Sequence, residues 1–300
     1  MPSFPILFFM VIFSLVSLAA VLQNGFMVTF LGREWLRCGT LPAGDMMVAC
    51  LVTSRLCLHG ISILNNLVNF FGFCYRTRYL DIFWDFVNTL TFWLTAWLSV
   101  FYCLKISTFA HPVFFWLKWR ISRSVPRLLL SALFFGVLSA TSTAVGNAVT
   151  IQTITSESVH GNCTLSHSII TFHRWYFFWH SLMMWLTPLL LFLGSIILLM
   201  FSLYRHMEQM RGCMLGPCDS STQAHTVALR SLSFFFIFYV LHVLTQFISR
   251  VQLITIWNPW YWVKETVLYA GIFLHSMVLL LSSPKLRKVL KTWFSDLCCL

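Results

Sequence analysis

Long apolar runs alternate with short polar stretches along the whole chain, and each apolar run has the length of a membrane crossing. Seven such runs recur, at about 4–31, 45–70, 82–108, 128–150, 175–204, 227–249 and 263–283. Each is long enough to cross ~30 Å of hydrocarbon at ~1.5 Å per residue. A segment in lipid must satisfy its own backbone hydrogen bonds, and the alternation of a membrane barrel is missing, so every run is predicted to be helical. The first run lacks a basic leading segment and a small-residue cleavage site, so it is expected to stay as a span and not to act as a signal peptide. The expected architecture is all-α integral membrane, a seven-transmembrane helix bundle forming one domain over residues 1–300, with 284–300 as a tail. The chain shows no internal repeat of the kind that pairs the halves of many transporters.

Composition makes a soluble alternative untenable. Hydrophobic residues are 58% of the chain, aromatics 17% and charged residues only 10%, too much apolar surface for one soluble domain to hide. Charge then sets orientation. Of the 20 Lys and Arg residues, 14 fall in the connections after spans one, three and five and in the tail; five fall on the opposite side, and Arg55 lies inside span two. Cytoplasmic loops carry the excess of positive charge, which predicts the N terminus outside and the C terminus cytoplasmic. The sequon Asn162-Cys163-Thr164 then falls in an outer loop, so Asn162 is a glycosylation candidate. The net charge of +11 reads as membrane orientation and affinity for anionic lipid, with no nucleic-acid partner expected. After Pro284, Leu286, Val289, Leu290, Trp293 and Phe294 recur at helical spacing among Lys285, Arg287, Lys288 and Lys291, which predicts a short interfacial helix after span seven.

The ten cysteines form no zinc-like pair and read as small buried hydrophobes. Cys74 and Cys163 share the outer side, where either a disulfide or two free thiols fit. Cys298 and Cys299 are palmitoylation candidates, the alternative being an unmodified tail. The chain has no H-E-x-x-H, no G-x-S-x-G and no phosphate-cradling glycine loop, so neither an enzyme activity nor a metal or cofactor is expected.

Several stretches carry a more specific signal. "LSVFYCLKISTFAHPVFFWLKWRI" closely resembles the third-span signature of the bitter taste receptors, the taste receptor type 2 family of G-protein-coupled receptors. "LVTSR", with Arg55, resembles that family's second-span motif, and "SLYRHMEQM" its inner end of span five. "DSSTQAHTVALRSLSFFFIFY" resembles its third inner loop and sixth span, and "HSMVLLLSSPKLRKVL" its end of span seven. The matches run in order along the whole chain. Two departures are Ser283, where the family usually has Asn, and Ser107, where it usually has Ala.

The resemblance implies a chemosensory receptor in the plasma membrane, multi-pass, binding small and partly apolar bitter compounds in an outward-facing transmembrane pocket and activating a gustducin-type heterotrimeric G protein. A pheromone-type chemosensory receptor, or a small transporter or channel with Arg55 in its pore, are the competing readings. Thr89, Trp93 and Trp97 recur at i, i+4 and i+8 on span three. By themselves they read as lipid-facing or packing residues, whereas the resemblance implies that Trp93 lines the pocket. It implies the same for His242 in span six and for Glu265 at the outer end of span seven. Glu265 there fits either a cationic ligand amine or an internal partner for Arg250. Arg55 must face the bundle, toward Asn24 or the backbone carbonyls of span seven, as a switch or as a structural hub. Lys105, His206, Ala224, His225 and His275 belong to motifs that the resemblance ties to coupling. Lys105 is expected near the inner edge, ~18 Å below Trp93, with its ammonium snorkelling to the interface.

Overall fold

In a computed structural model, residues 4–71, 74–107, 112–158, 167–213, 236–241, 243–245, 257–283 and 285–290 are described. The helices are α1 (Phe4–Cys38), α2 (Ala43–Phe70), α3 (Cys74–Ile106), α4 (Pro112–Ser158) and α5 (His167–Cys213). They are followed by the short α6 (Phe236–Thr245), in which residue 242 lies outside the description, and by α7 (Pro259–Ser282). Six of them are long and apolar enough to cross a membrane. Most of the run expected at 227–249 lies outside the described residues, and the part that is described is helical.

The helices overrun the expected spans because nothing at the span ends stops them. α1 continues to Cys38, where Gly39 takes φ +70°, the left-handed conformation open to glycine, and its N–H donates to Trp35 O at 2.8 Å. α3 ends at Ile106, with Ser107 N donating to Cys103 O, and Pro112 is the first residue of α4, the position where its missing N–H costs nothing. The aromatic and basic residues 114–127 are therefore the first turns of α4. Asn258 caps α7, accepting from Trp260 N at 3.0 Å, with Pro259 as the first helical residue. Beyond α7, residues 285–290 form a helical turn whose Leu286 is buried; 291–300 lie outside the described residues.

The helices neighbour one another in the order α7, α1, α2, α3, with α4 and α5 both against α3 and against each other. α3 is central: 78% of its membrane-length window is buried, against 22% for α1 and for α4. The outer faces of α1 and α4 instead expose Leu15, Leu18, Leu22, Leu130 and Phe134, as lipid contact requires. Lipid tails are as apolar as leucine, so burial alone does not drive such helices together; close packing and interhelical hydrogen bonds must. α4 shows the first. At Gly136 a Cβ would come within 3.1 Å of the Phe86 ring, so glycine lets α4 approach α3. Two of the core clusters lie toward opposite ends of α2, one around Met27, Leu51, Leu98, Phe101 and Val125, the other around Phe13, Leu58, Trp262 and Tyr269. Arg55 lies along α2 between Leu51 of the one and Leu58 of the other.

Candidate functional site

A cation buried in lipid-facing structure needs acceptors, and Arg55 finds them on two other helices. It is 2% exposed. Nη1 donates to Ser276 Oγ at 3.0 Å, and Nη2 to Thr95 Oγ1 at 3.3 Å and to His275 Nδ1 at 2.6 Å. A guanidinium has only donors, so His275 Nδ1 must be the acceptor and the ring carries its proton on Nε2. The sequence placed Arg55 opposite Asn24 or the carbonyls of span seven; the partners are side chains of α3 and α7. Asn24 closes on its own helix, donating to Ala20 O at 2.8 Å, whereas the longer arginine reaches across the bundle. Arg55 and His275, expected separately as coupling residues, form one junction of α2, α3 and α7.

That junction borders a cavity. Its walls are Asn88, Thr91, Phe92 and Thr95 from α3, Phe192 from α5, Phe238 and Tyr239 from α6, Gly271, Ile272 and His275 from α7, and Arg55 itself. The empty space, open mouth included, is about 460 Å³. Gly271 keeps one wall thin, since a Cβ there would come within 3.2 Å of the Phe238 ring. Most of the lining is apolar and aromatic. Among the polar residues of the wall Asn88 stands apart: it is 1% exposed, and its Nδ2 has no hydrogen-bond partner among the described residues.

The neighbouring face of α3 is closed. Trp93 is 3% exposed and stacks on Phe135 of α4, with centroids 3.9 Å apart and planes 2° from parallel. Trp97 packs beside it at 5.9 Å. Thr89 donates to Ser139 Oγ at 2.9 Å. Ser139 and Thr143 of α4 donate to Asp85 Oδ2 at 2.6 and 2.7 Å. Because the Ser139 proton is committed to Asp85, the 3.2 Å contact with His180 Nε2 of α5 requires the imidazole to donate. This buried network ties α3 to α4 and α5. Thr89, Trp93 and Trp97 thus lie on the α4 side, and none of the three is among the cavity lining.

The two ends of the bundle carry their own ties. Glu265 of α7 is buried and pairs with Lys264 at 2.8 Å, and Lys264 Nζ sits 4.7 Å from the Tyr261 ring centroid. Tyr261 donates to Asn66 Oδ1 at 2.8 Å, and Trp84 Nε1 to Tyr269 Oη at 2.8 Å. At the other end Lys285 pairs with Glu34 at 2.6 Å and lies 3.7 Å from Asp45, joining the segment after α7 to α1 and α2. The Glu34 hydrogen bond and charge hold the Lys285 ammonium above the usual lysine pKa. Lys105 is exposed, its Nζ 5.9 Å from the Phe101 ring centroid. Arg120 stacks on Trp116 and Arg123 on Trp119.

His242, His225, Ala224, Asn162, Cys163, Cys298 and Cys299 lie outside the described residues; His206 and Cys74 are within helices, with their side chains outside the description. Sequence reasoning did not single out Asn88, Thr91, Phe92 or Thr95 as a stripe. Their spacing of three, four and seven residues was available, but the neighbouring tryptophan stripe is the louder pattern.

Membrane-length helices packed around an aromatic cavity with a buried cation in its wall define a multi-pass membrane protein. The comparisons with known proteins agree and go further. The family model described as Taste receptor protein (TAS2R) matches residues 1–297. The chain is 58% identical to rat taste receptor type 2 member 143, over 98% of this chain and 100% of that one. It is 54% identical to rat taste receptor type 2 member 134, over 97% and 87%, and 51% identical to taste receptor type 2 member 62 of Pan paniscus, over 98% and 94%. The chain belongs to the taste receptor type 2 family, the bitter taste receptors among G-protein-coupled receptors.

Proposed function

We propose that this receptor binds small, partly apolar bitter compounds in the cavity between α2, α3, α5, α6 and α7, and that occupancy is passed to a gustducin-type heterotrimeric G protein at the cytoplasmic face of the plasma membrane. In this reading the bundle has seven spans, the sixth running through 227–249, with the N terminus outside; the uneven distribution of Lys and Arg supports that orientation. The observation that carries the binding site is the unpartnered Asn88 amide in an aromatic cavity that also contains Arg55. A buried donor without a partner costs ~1–3 kcal/mol, and a ligand acceptor relieves that cost.

The same cavity supports a route to signalling. Its walls come from five helices and include the Arg55–His275 contact. A ligand that fits one arrangement of these helices better than another shifts the equilibrium between them. Trp93 and the α4 face brace α3 from behind, and Glu265, with His242, belongs to the outer approach. Lys105 and the α4 collar stand at the G-protein end. The test is a calcium-response screen of bitter compounds in cells supplied with a gustducin-type G protein, run on the wild type and on Asn88→Leu at equal surface expression. The expected result is at least one agonist with a potency lowered about tenfold or more by the substitution. Unchanged dose–response curves for every agonist found would overturn the site.

A further inference from the structure

The balance of charge around the cavity is uneven in a way that points to what it binds. Arg55 is 2% exposed, and its three contacts, Ser276, Thr95 and His275, are all neutral. Its Nε has no partner among the described residues. A buried cation is normally answered by an acid, yet no ion pair joins Arg55 to one among the described residues. Within the seven apolar runs the acids are Asp45, Asp85 and Glu265; the run at 227–249 has none. Asp85 accepts from Ser139 and Thr143 beside His180. Glu265 is held by Lys264, and Asp45 lies beside Lys285.

The cavity is donor-rich as well as positive. Arg55 Nε and Asn88 Nδ2, both on residues of its wall, are hydrogen-bond donors without acceptors, while His275 Nδ1 already accepts from Arg55. The Thr91 hydroxyl is directed to Val87 O at 2.8 Å. The other walls, Phe92, Phe192, Phe238 and Ile272, offer apolar surface and aromatic faces.

From this we infer that the cavity is an anion site: it takes one monovalent anionic group, a carboxylate, sulfonate or sulfate on a compact apolar skeleton, or a halide ion when no such ligand is present, with Arg55 and Asn88 as its donors. Charge-assisted hydrogen bonds to a guanidinium are the strong ones, and in this low-dielectric setting they need no carboxylate from the protein. A ligand ammonium at the same place meets a like charge. The inference rests on the cavity being the agonist site and adds the class of ligand.

The experiment uses the full-length receptor purified into lipid nanodiscs and reads thermal unfolding. One arm replaces sodium gluconate by sodium chloride or bromide at constant ionic strength. The other adds a matched set of one aromatic skeleton bearing a carboxylate, a primary amide or a methylammonium group, each titrated for its half-saturating concentration. The expected result is a saturable rise in Tm with the halide, a carboxylate at least about tenfold tighter than its amide or ammonium analogue, and halide competing with the carboxylate. A carboxylate preference without a halide effect still supports the site and assigns it to organic anions alone; a halide effect alone supports it and assigns it to inorganic anions. Amide or ammonium binding as tightly as carboxylate, or no member of the set binding, with no halide effect in either case, would overturn the inference. The wild-type titrations stand by themselves; Arg55→Gln, where it reaches the membrane, is expected to abolish both effects. An overturned anion site leaves the proposed function standing if neutral bitter agonists still activate the G protein and lose potency in Asn88→Leu, whereas loss of that result removes both.

Discussion

α3 presents two adjacent faces to its neighbours, and they are built on opposite plans. Toward α4 and α5 the hydroxyls of Thr89, Ser139 and Thr143 join His180 and Asp85 in one connected network, and Trp93 lies flat on Phe135, although the indole N–H groups of Trp93 and Trp97 have no hydrogen-bond partner among the described residues. Toward α2, α6 and α7 the helix shows Asn88, Thr91, Phe92 and Thr95 to a cavity, where the Asn88 amide and the Arg55 Nε have no partner. The two faces are separated by a single residue of helical phase, ~100°. One holds the bundle together, and the other is the face that the proposed ligand would complete. The difference teaches where in a largely buried helix to look for binding: a buried polar group with an unmet hydrogen bond that also borders a cavity is a better guide than an aromatic stripe.

Substitutions can break this comparison, beginning with the largest effect. Trp93→Ala removes a fully buried, stacked side chain and is expected to lower unfolding stability by ~3 kcal/mol or more. At equal surface expression it should leave agonist potency within about twofold of wild type, since the ring does not line the cavity; a large selective loss of potency would move the site toward α4. Ser139→Val takes a donor from Asp85 and an acceptor from Thr89, and should cost ~2 kcal/mol with the same indifference to agonist, read as a fall in Tm against an unchanged dose–response curve. Asn88→Leu inverts the pattern. It loses no partner, so Tm should hold or rise, while potency falls about tenfold, ~1.4 kcal/mol. A parallel fall of both would mean that the two faces do not divide the work.

The smallest effect lies at the end of the bundle where Lys285 meets Glu34 and Asp45, away from both faces. Lys285→Gln removes the tie to Glu34 and Asp45 and should lower Tm slightly, less so at high salt because the pair is exposed. The sign of its pH dependence is fixed. A folded-state pKa raised above the unfolded value means that the tie contributes fully below the ordinary lysine pKa of about 10.4, and that the contribution is lost as pH rises through the higher folded value. The wild-type minus variant difference in Tm should therefore be flat at neutral pH and close under alkaline conditions.

Much of the fold was legible because its signals are strong and local. Apolar length alone located the helices, and a lone arginine in an apolar run had to turn inward. Its partners were not legible. Choosing Ser276, His275 and Thr95 over Asn24 depends on how far a guanidinium reaches across a packed interface, which no spacing in the sequence encodes. The cavity face of α3 was hidden for a different reason. Asp85, Asn88, Thr89, Thr91, Thr95 and Ser99 all fall on one half of this helix at ~100° per residue, so spacing alone does not divide those that border the cavity from those bonded to α4 and α5. The three-helix network around Asp85 was equally silent, since Ser139, Thr143 and His180 lie 54 to 95 residues further along the chain.

The central claim is that agonists occupy the α2–α3–α5–α6–α7 cavity, and it is tested most directly by protection of a single thiol placed in its wall. Ile272→Cys in the full-length receptor is labelled with a small methanethiosulfonate reagent, with wild-type labelling subtracted, in the absence and presence of an agonist shown to activate the G protein. At an agonist concentration about ten times its half-maximal dose, the modification rate at residue 272 should fall about tenfold, following occupancy. An unchanged rate at a fully activating dose would place the agonist elsewhere and contradict the account.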